Sequence, residues 1–175
     1  MTYEELHDVV LQHAKTIYSF CRHLTTNSAD ADDLYQETFL KAAELCHKID
    51  PSQNPRAFLI RIAASLWKNQ LRKEKGRQKI IPLAPLKSED EAVSPENPPE
   101  VLLIQQEETQ LLLLCAEKLS PKLRLPLYMY YTAELSLKEI STILHIPVGT
   151  VKSRLWRAKQ ELKQNLEVHE HETYK

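Results

Sequence analysis

Lys152, Trp156, Lys159 and Lys163 recur at spacings of four, three and four, with Ser153 and Arg157 on their flank. On a helix, that spacing lines cations, a hydroxyl and an indole along one side. Such groups meet phosphates, purine edges, sugars and thymine methyls. A second stripe, Arg61, Lys68, Arg72 and Lys75, is spaced seven, four and three apart. It can track a nucleic-acid backbone. A third pattern is of opposite sign. Asp33, Gln36, Glu37, Leu40 and Glu44 share one side of a helix, and Leu40 is an apolar residue rimmed by polar groups. That rim fits a helix-on-helix contact as well as a solvated face.

Each pattern has a plainer reading. A charge run is often only a wet helix face, and Trp156 also fits a half-buried anchor. Catalysis finds no support. No nucleophile–base pair or carboxylate dyad is recognisable, so no catalytic residue, cofactor or enzyme activity is expected. His7, His13, Cys21, His23, Cys46 and His47 lack metal-ligand spacing and read as packing or surface residues. His169-Glu170-His171-Glu172 reads as a frayed tail rather than a metal site.

The elements that hold these residues must be helical. The chain has 175 residues with 42% hydrophobic and 27% charged content, which is globular. Two glycines are too few for an all-β fold, a Rossmann loop or a P-loop. Three cysteines without C-x-x-C spacing exclude a disulfide framework or zinc ribbon. No signal peptide is visible, and the apolar stretch from Val101 to Leu114 is broken by polar residues 105–110. Nothing is long enough to insert in a membrane. A cytoplasmic protein is expected.

The net charge of −1 hides blocks. Residues 51–80 carry +7 and 147–164 carry +4, whereas 27–50 carry −4 and 88–108 carry −7. Between Ile81 and Pro99 lie five prolines and the run Ser88-Glu89-Asp90-Glu91, the composition of a flexible linker. The expected fold is all-α, with two small helical domains at 1–80 and 101–168. They are joined by an acidic Pro-rich linker at 81–100 and followed by a disordered tail at 169–175. The linker reads as a soluble spacer or as a weak competitor lying against either basic helix.

Start signals place the helices. Asn54-Pro55 opens one that runs to about Arg77, and Ser120-Pro121 opens another. Ser136 and Glu139 form a capping box for a short helix to Leu144. A turn at His145-Ile146 leads to a last helix from about Pro147 to Leu166. At 100° per residue, Val151, Leu155, Ala158 and Leu162 fall within about 60° on it, and this arc must be buried. A short helix pair whose second member is apolar inside and basic outside is a helix-turn-helix. In the first half, Ala31, Leu34, Tyr35, Phe39, Ala42 and Leu45 form one core arc. Phe58, Leu59, Ile62, Ala63 and Leu66 form another.

At this point the residues resemble a family. Leu119–Leu162, with the core "PVGTVKSRLWRAK", resembles region 4 of extracytoplasmic-function (ECF, group 4) sigma factors of the sigma-70 family. Ser28–Glu44, "SADADDLYQETFLKAAE", resembles region 2.2. Asn54–Arg77, "NPRAFLIRIAASLWKNQLRKEKGR", resembles regions 2.3 and 2.4. The resemblance implies a factor that binds core RNA polymerase through the β′ clamp helices and the β subunit and directs promoter-specific initiation. It implies −35 contacts by Thr150, Lys152, Ser153, Arg154, Trp156, Arg157 and Lys159. It implies −10 contacts by Arg61, Ser65, Lys68, Asn69, Arg72 and Lys75, with a base-capture loop near 47–54. Asp33, Gln36, Glu37 and Leu40 would meet the polymerase. Promoter DNA and an anti-sigma factor, often membrane-bound in the family, are the other implied partners. The sequence departs from the family at Phe58, Ser65 and Asn69. It also departs at Glu134 and His145, which stand where Gly often closes helices; either these two sit in strained or left-handed conformations or the helix ends differ slightly. The competing reading is a free-standing helix-turn-helix regulator, which would need a sensing or dimerisation domain where residues 28–77 stand.

Overall fold

The computed structural model describes residues 2–48, 54–78 and 100–173, all helical or in turns between helices. Helices α1 (Tyr3–Leu24), α2 (Ser28–Leu45) and α3 (Pro55–Gln78) form a first unit, with a short 3-10 turn at Cys46–Lys48. Helices α4 (Glu100–Glu117), α5 (Pro121–Tyr131), α6 (Leu137–Leu144) and α7 (Val148–Thr173) form a second. Residues 79–99, which hold nearly all of the expected linker, lie outside the described residues. So do residues 49–53 of the expected base-capture loop.

Caps fix the helix starts. Thr2 and Glu5 form a reciprocal box on α1: Glu5 N–H donates to Thr2 Oγ1 at 3.2 Å and Thr2 N–H donates to Glu5 Oε2 at 2.7 Å. Asn27 Oδ1 accepts from Asp30 N–H at 2.8 Å and opens α2. Asn54 Oδ1 accepts from Arg56 N–H at 3.1 Å ahead of Pro55 and opens α3. The core of the first unit is built from Ile17, Phe20, Leu34, Leu59 and Ala63, none with measurable exposure. Burying each large apolar side chain contributes about 1.5–3 kcal/mol. Thr38 is the exception on α2, a polar residue in that core; its hydroxyl donates to the Leu34 carbonyl at 2.6 Å.

The second unit packs Met129, Leu135, Ile140, Val151 and Ala158 into its centre. Asn165 Nδ2 donates to the Cys115 carbonyl at 3.1 Å and ties α7 to α4. Both of these positions are left-handed, with φ of 52° at Glu134 and 54° at His145. Leu135 N–H returns to the Met129 carbonyl at 3.0 Å and closes α5 around Glu134. One boundary is corrected. The last helix does not end near Leu166, and the segment expected as a disordered tail at 169–175 is helical as far as Thr173. No Gly or Pro follows Gly149, and Lys163 and Glu167 pair at 3.9 Å one turn apart.

The two units also touch each other. α1 meets α5, and α3 meets α6. Arg56 of α3 donates to the Glu134 carbonyl at 3.0 Å and to its carboxylate at 3.3 Å. Asn54 Nδ2 donates to Glu139 Oε1 at 2.6 Å. His23 Nδ1 and Thr132 Oγ1 lie 3.1 Å apart, and the His23 ring lies 5.1 Å from that of Tyr128. The Arg124 guanidinium sits 5.2 Å from the Trp67 ring centre. Besides Leu59, Ile62 and Ala63 of its expected arc, α3 also buries Ile60, Ala64 and Trp67, and Trp67 lies under Arg124 of the other unit across this seam.

Candidate nucleic-acid interface

The α6–α7 pair is set by short-range bonds. Ser136 Oγ accepts from Glu139 N–H at 3.3 Å, and Glu139 Oε2 accepts from Ser136 N–H at 2.8 Å. Burial pushes the Glu139 carboxyl up. Bonds from Ser136 and Asn54 and the charge of Arg56 outweigh it, so Glu139 lies below its ordinary value and stays ionised. At the turn, Ser141 Oγ donates to the Ile146 carbonyl at 2.6 Å while His145 takes the left-handed conformation. α7 then starts with its apolar side inward. Val151, Leu155 and Ala158 are buried and Leu162 is half-buried, as the spacing requires.

The opposite side of α7 is open. Lys152, Ser153, Trp156, Arg157 and Lys159 are exposed, and Thr150 and Arg154 are half-buried. Trp156 is 64% exposed, so it is a surface ring and not an anchor. Ser153 Oγ donates to the Thr150 carbonyl at 3.0 Å, which leaves its lone pairs as acceptors. Lys159 Nζ lies 5.4 Å from the Tyr131 ring centre. A hydrogen bond to Tyr131 and its partial charge raise the Lys159 pKa, so the ammonium is fully charged at neutral pH.

On α3, Arg61, Ser65, Lys68, Asn69, Arg72 and Lys75 are all exposed. The Arg61 guanidinium lies 5.1 Å from the Phe58 ring centre, and Arg72 Nη2 donates to Asn69 Oδ1 at 2.6 Å. Lys68 lies below the ordinary lysine range, chiefly through desolvation and then through the charges of Arg154 and Arg72. Arg154 belongs to the other unit, so its charge is felt at Lys68 across the two units. On α2, Asp33, Gln36, Glu37 and Leu40 share an exposed face, with Leu40 68% exposed. Asp33 also lines a polar cleft of about 230 Å³ with Trp67 and Arg124.

Two features escaped the residue patterns. Tyr131, at the end of α5, supports Lys159 from another helix. The seam joins Arg56 to Glu134. The signal available for the seam was the run "AFLIRIAASLW" at 57–67, which is more apolar than one buried face requires. Among the described residues, no three His, Cys, Asp or Glu are placed to hold a metal ion. Cys21, Cys46 and Cys115 are buried free thiols, and burial pushes Cys21 up to about 12. No described helix is long and apolar enough to cross a membrane.

Comparison with known proteins agrees with this geometry. The family model for sigma-70 region 2 matches residues 9–77, and that for sigma-70 region 4 matches residues 109–162. The chain is 31% identical over 163 residues to the ECF RNA polymerase sigma factor SigW of Bacillus subtilis, covering 91% of this chain and 87% of that protein. It is also 31% identical to the ECF RNA polymerase sigma-E factor of Escherichia coli K12, over 77% of this chain and 73% of that one. Among solved structures, the sigma factor RpoE bound to the anti-sigma factor NepR from Bartonella quintana superposes with a TM-score of 0.78. The identity is 21%, covering 94% of this chain and 98% of that one. CnrH bound to the cytosolic domain of CnrY gives 0.68 at 18% identity, covering 95% and 90%. At those identities the likeness is one of fold.

Proposed function

Because this chain belongs to the ECF RNA polymerase sigma factors, we propose that it directs transcription initiation by dividing promoter recognition between its two helical units. The second unit, about 101–168, reads the −35 element. Thr150, Lys152, Ser153, Arg154, Trp156, Arg157 and Lys159 supply the contacts. The first unit, about 1–80, engages the −10 element through Arg61, Ser65, Lys68, Asn69, Arg72 and Lys75. Asp33, Gln36, Glu37 and Leu40 bind the β′ clamp helices of core polymerase, and the second unit meets the β subunit. The resemblance of Ser28–Glu44, Asn54–Arg77 and Leu119–Leu162 to group 4 members supports placement in group 4.

One observation carries this reading. The exposed, cationic side of α7, with Trp156 at its centre, stands directly opposite Val151, Leu155 and Ala158 in the core. A helix held that way presents its outer face to a major groove while phosphate contacts fix its register. The α3 stripe suits a backbone track, since its cations are exposed and linearly spaced. The chain does no chemistry of its own in this reading, because the polymerase makes the bonds. Its place of work is the cytoplasm. An anti-sigma factor is its expected regulator, since two sigma factors of this fold, RpoE and CnrH, were solved with NepR and with the cytosolic domain of CnrY.

Run-off transcription on a promoter library, with core polymerase alone and with this chain added, tests the proposal. Promoter-selective transcripts that need the chain support it. Duplex binding by the chain with no change in transcripts would leave the free-standing regulator instead.

A further inference from the structure

The end of α5 carries an inference that rests on the α7 face just proposed. The run Tyr128-Met129-Tyr130-Tyr131 closes that helix. Tyr128 and Met129 are buried, whereas Tyr130 is 39% and Tyr131 52% exposed. The two outer tyrosines stand three and four residues after Leu127, which is itself buried. The row that Leu127 occupies therefore leaves the core where α5 ends. Its last two rings meet edge to face, with centres 4.9 Å apart and planes at 79°. Each ring limits the other's motion. Tyr131 also lies 5.4 Å from Lys159 Nζ, so the pair is continuous with the cationic side of α7. Glu134 is the one acid in the turn that follows α5, and its carboxylate accepts from Arg56 at 3.3 Å, which offsets its charge.

We propose that Tyr130 and Tyr131 form an uncharged clamp on the sugar–phosphate backbone beside the −35 element, making α5 a second DNA-contacting helix of this unit. A phenol hydroxyl donates a hydrogen bond to a phosphate oxygen, and its ring packs on the neighbouring deoxyribose. A duplex backbone sets anions and apolar sugars side by side, which matches an ammonium beside two rings. In three-helix relatives of the helix-turn-helix, the turn after the first helix touches the backbone while the third lies in the groove. Here α5, α6 and α7 hold those three places, and Tyr130 and Tyr131 stand just before that turn. Such a contact carries no base information. It fixes how α7 sits in the groove, and as a neutral donor it releases no counterion.

The test uses the full chain and a −35 duplex selected from a randomised pool, either with flanking DNA or trimmed to the element. Fluorescence anisotropy at several salt concentrations compares Tyr130→Ala, Tyr130→Phe, Lys159→Ala and Arg157→Ala. Tyr130→Ala should weaken binding to the flanked duplex roughly two- to tenfold, the loss of one hydrogen bond and its ring contact. The loss should be the same on every sequence and should leave the salt slope unchanged, whereas Lys159→Ala lowers that slope. On the trimmed duplex Tyr130→Ala should match the unaltered chain. Tyr130→Phe keeps the ring and should recover part of the loss. Unchanged affinity of Tyr130→Ala for the flanked duplex overturns the clamp. So does a changed base preference, or a loss confined to core-polymerase binding, which would make the pair a protein contact. Arg157→Ala separates the two readings. If it alters base preference while Tyr130→Ala does nothing, the α7 face stands and only the clamp has failed; if neither has an effect, the α7 assignment fails too.

Discussion

Lys159 Nζ lies 5.4 Å from the centre of the Tyr131 ring, joining the last residue of α5 to the outer face of α7. The ring faces the ammonium and holds it on the side of α7 that carries Trp156. A phosphate contact made from there loses less side-chain freedom on binding. Tyr131→Ala should weaken binding to a −35 duplex a few-fold, and Tyr131→Phe, which keeps the ring but loses the hydroxyl's bond to Lys159, should lose less. Anisotropy titrations decide it. Equal losses in both variants would mean that the hydroxyl and not the ring matters.

Arg157 and Lys159 share the α7 face but should fail differently. Arg157→Ala removes a fork suited to a purine edge. It should cost about 1–3 kcal/mol on the preferred sequence and relax specificity at one position. Lys159→Ala should weaken binding evenly across sequences and reduce the salt slope by about 1. Binding to randomised duplexes at several salt concentrations separates the two. If Arg157→Ala leaves the preferred sequence unchanged, α7 is turned differently in the groove.

Leu40 is 68% exposed beside the buried Thr38 and half-buried Phe39. Leu40→Arg should therefore leave the melting temperature nearly unchanged while core-polymerase binding falls sharply. Calorimetry and a pull-down with purified core enzyme measure the two. A large drop in melting temperature would make Leu40 part of a packed interior.

His145 holds a φ of 54° at an exposed position, where a side chain costs about 1 kcal/mol that glycine avoids. His145→Gly should stabilise the chain by about that amount, raising the melting temperature by roughly 2–4 °C. A lower melting temperature would show that the imidazole contributes more than the strain removes.

The helix-turn-helix was legible because its buried residues repeat at the helical period. Val151, Leu155 and Ala158 fix the inner side of α7, and that leaves Lys152, Trp156 and Arg157 outward. Leu40 was legible for the same reason, as an apolar residue off the arc of Leu34 and Ala42. Glu134 and His145 were legible as side chains standing where a helix closes. The seam was not. Trp67 is buried beneath Arg124, a contact between helices nearly sixty positions apart, and no local period encodes it. Tyr131 was missed likewise, because its partner lies on another helix. The end of α7 was placed too early because chain ends ordinarily fray, whereas this helix meets no breaker before Thr173.

The central claim is the division of labour between α7 and α3. Its most direct measurement is run-off transcription by core polymerase on a library randomised separately at the −35 and −10 elements. It would compare the unaltered chain with Arg157→Ala and with Lys68→Ala/Arg72→Ala. The account predicts that Arg157→Ala changes tolerance only at the −35 element. The α3 pair should change usage only at the −10 element and slow promoter opening. If both sets of variants shift the same element, or if neither alters promoter choice, the two faces do not divide the promoter between them.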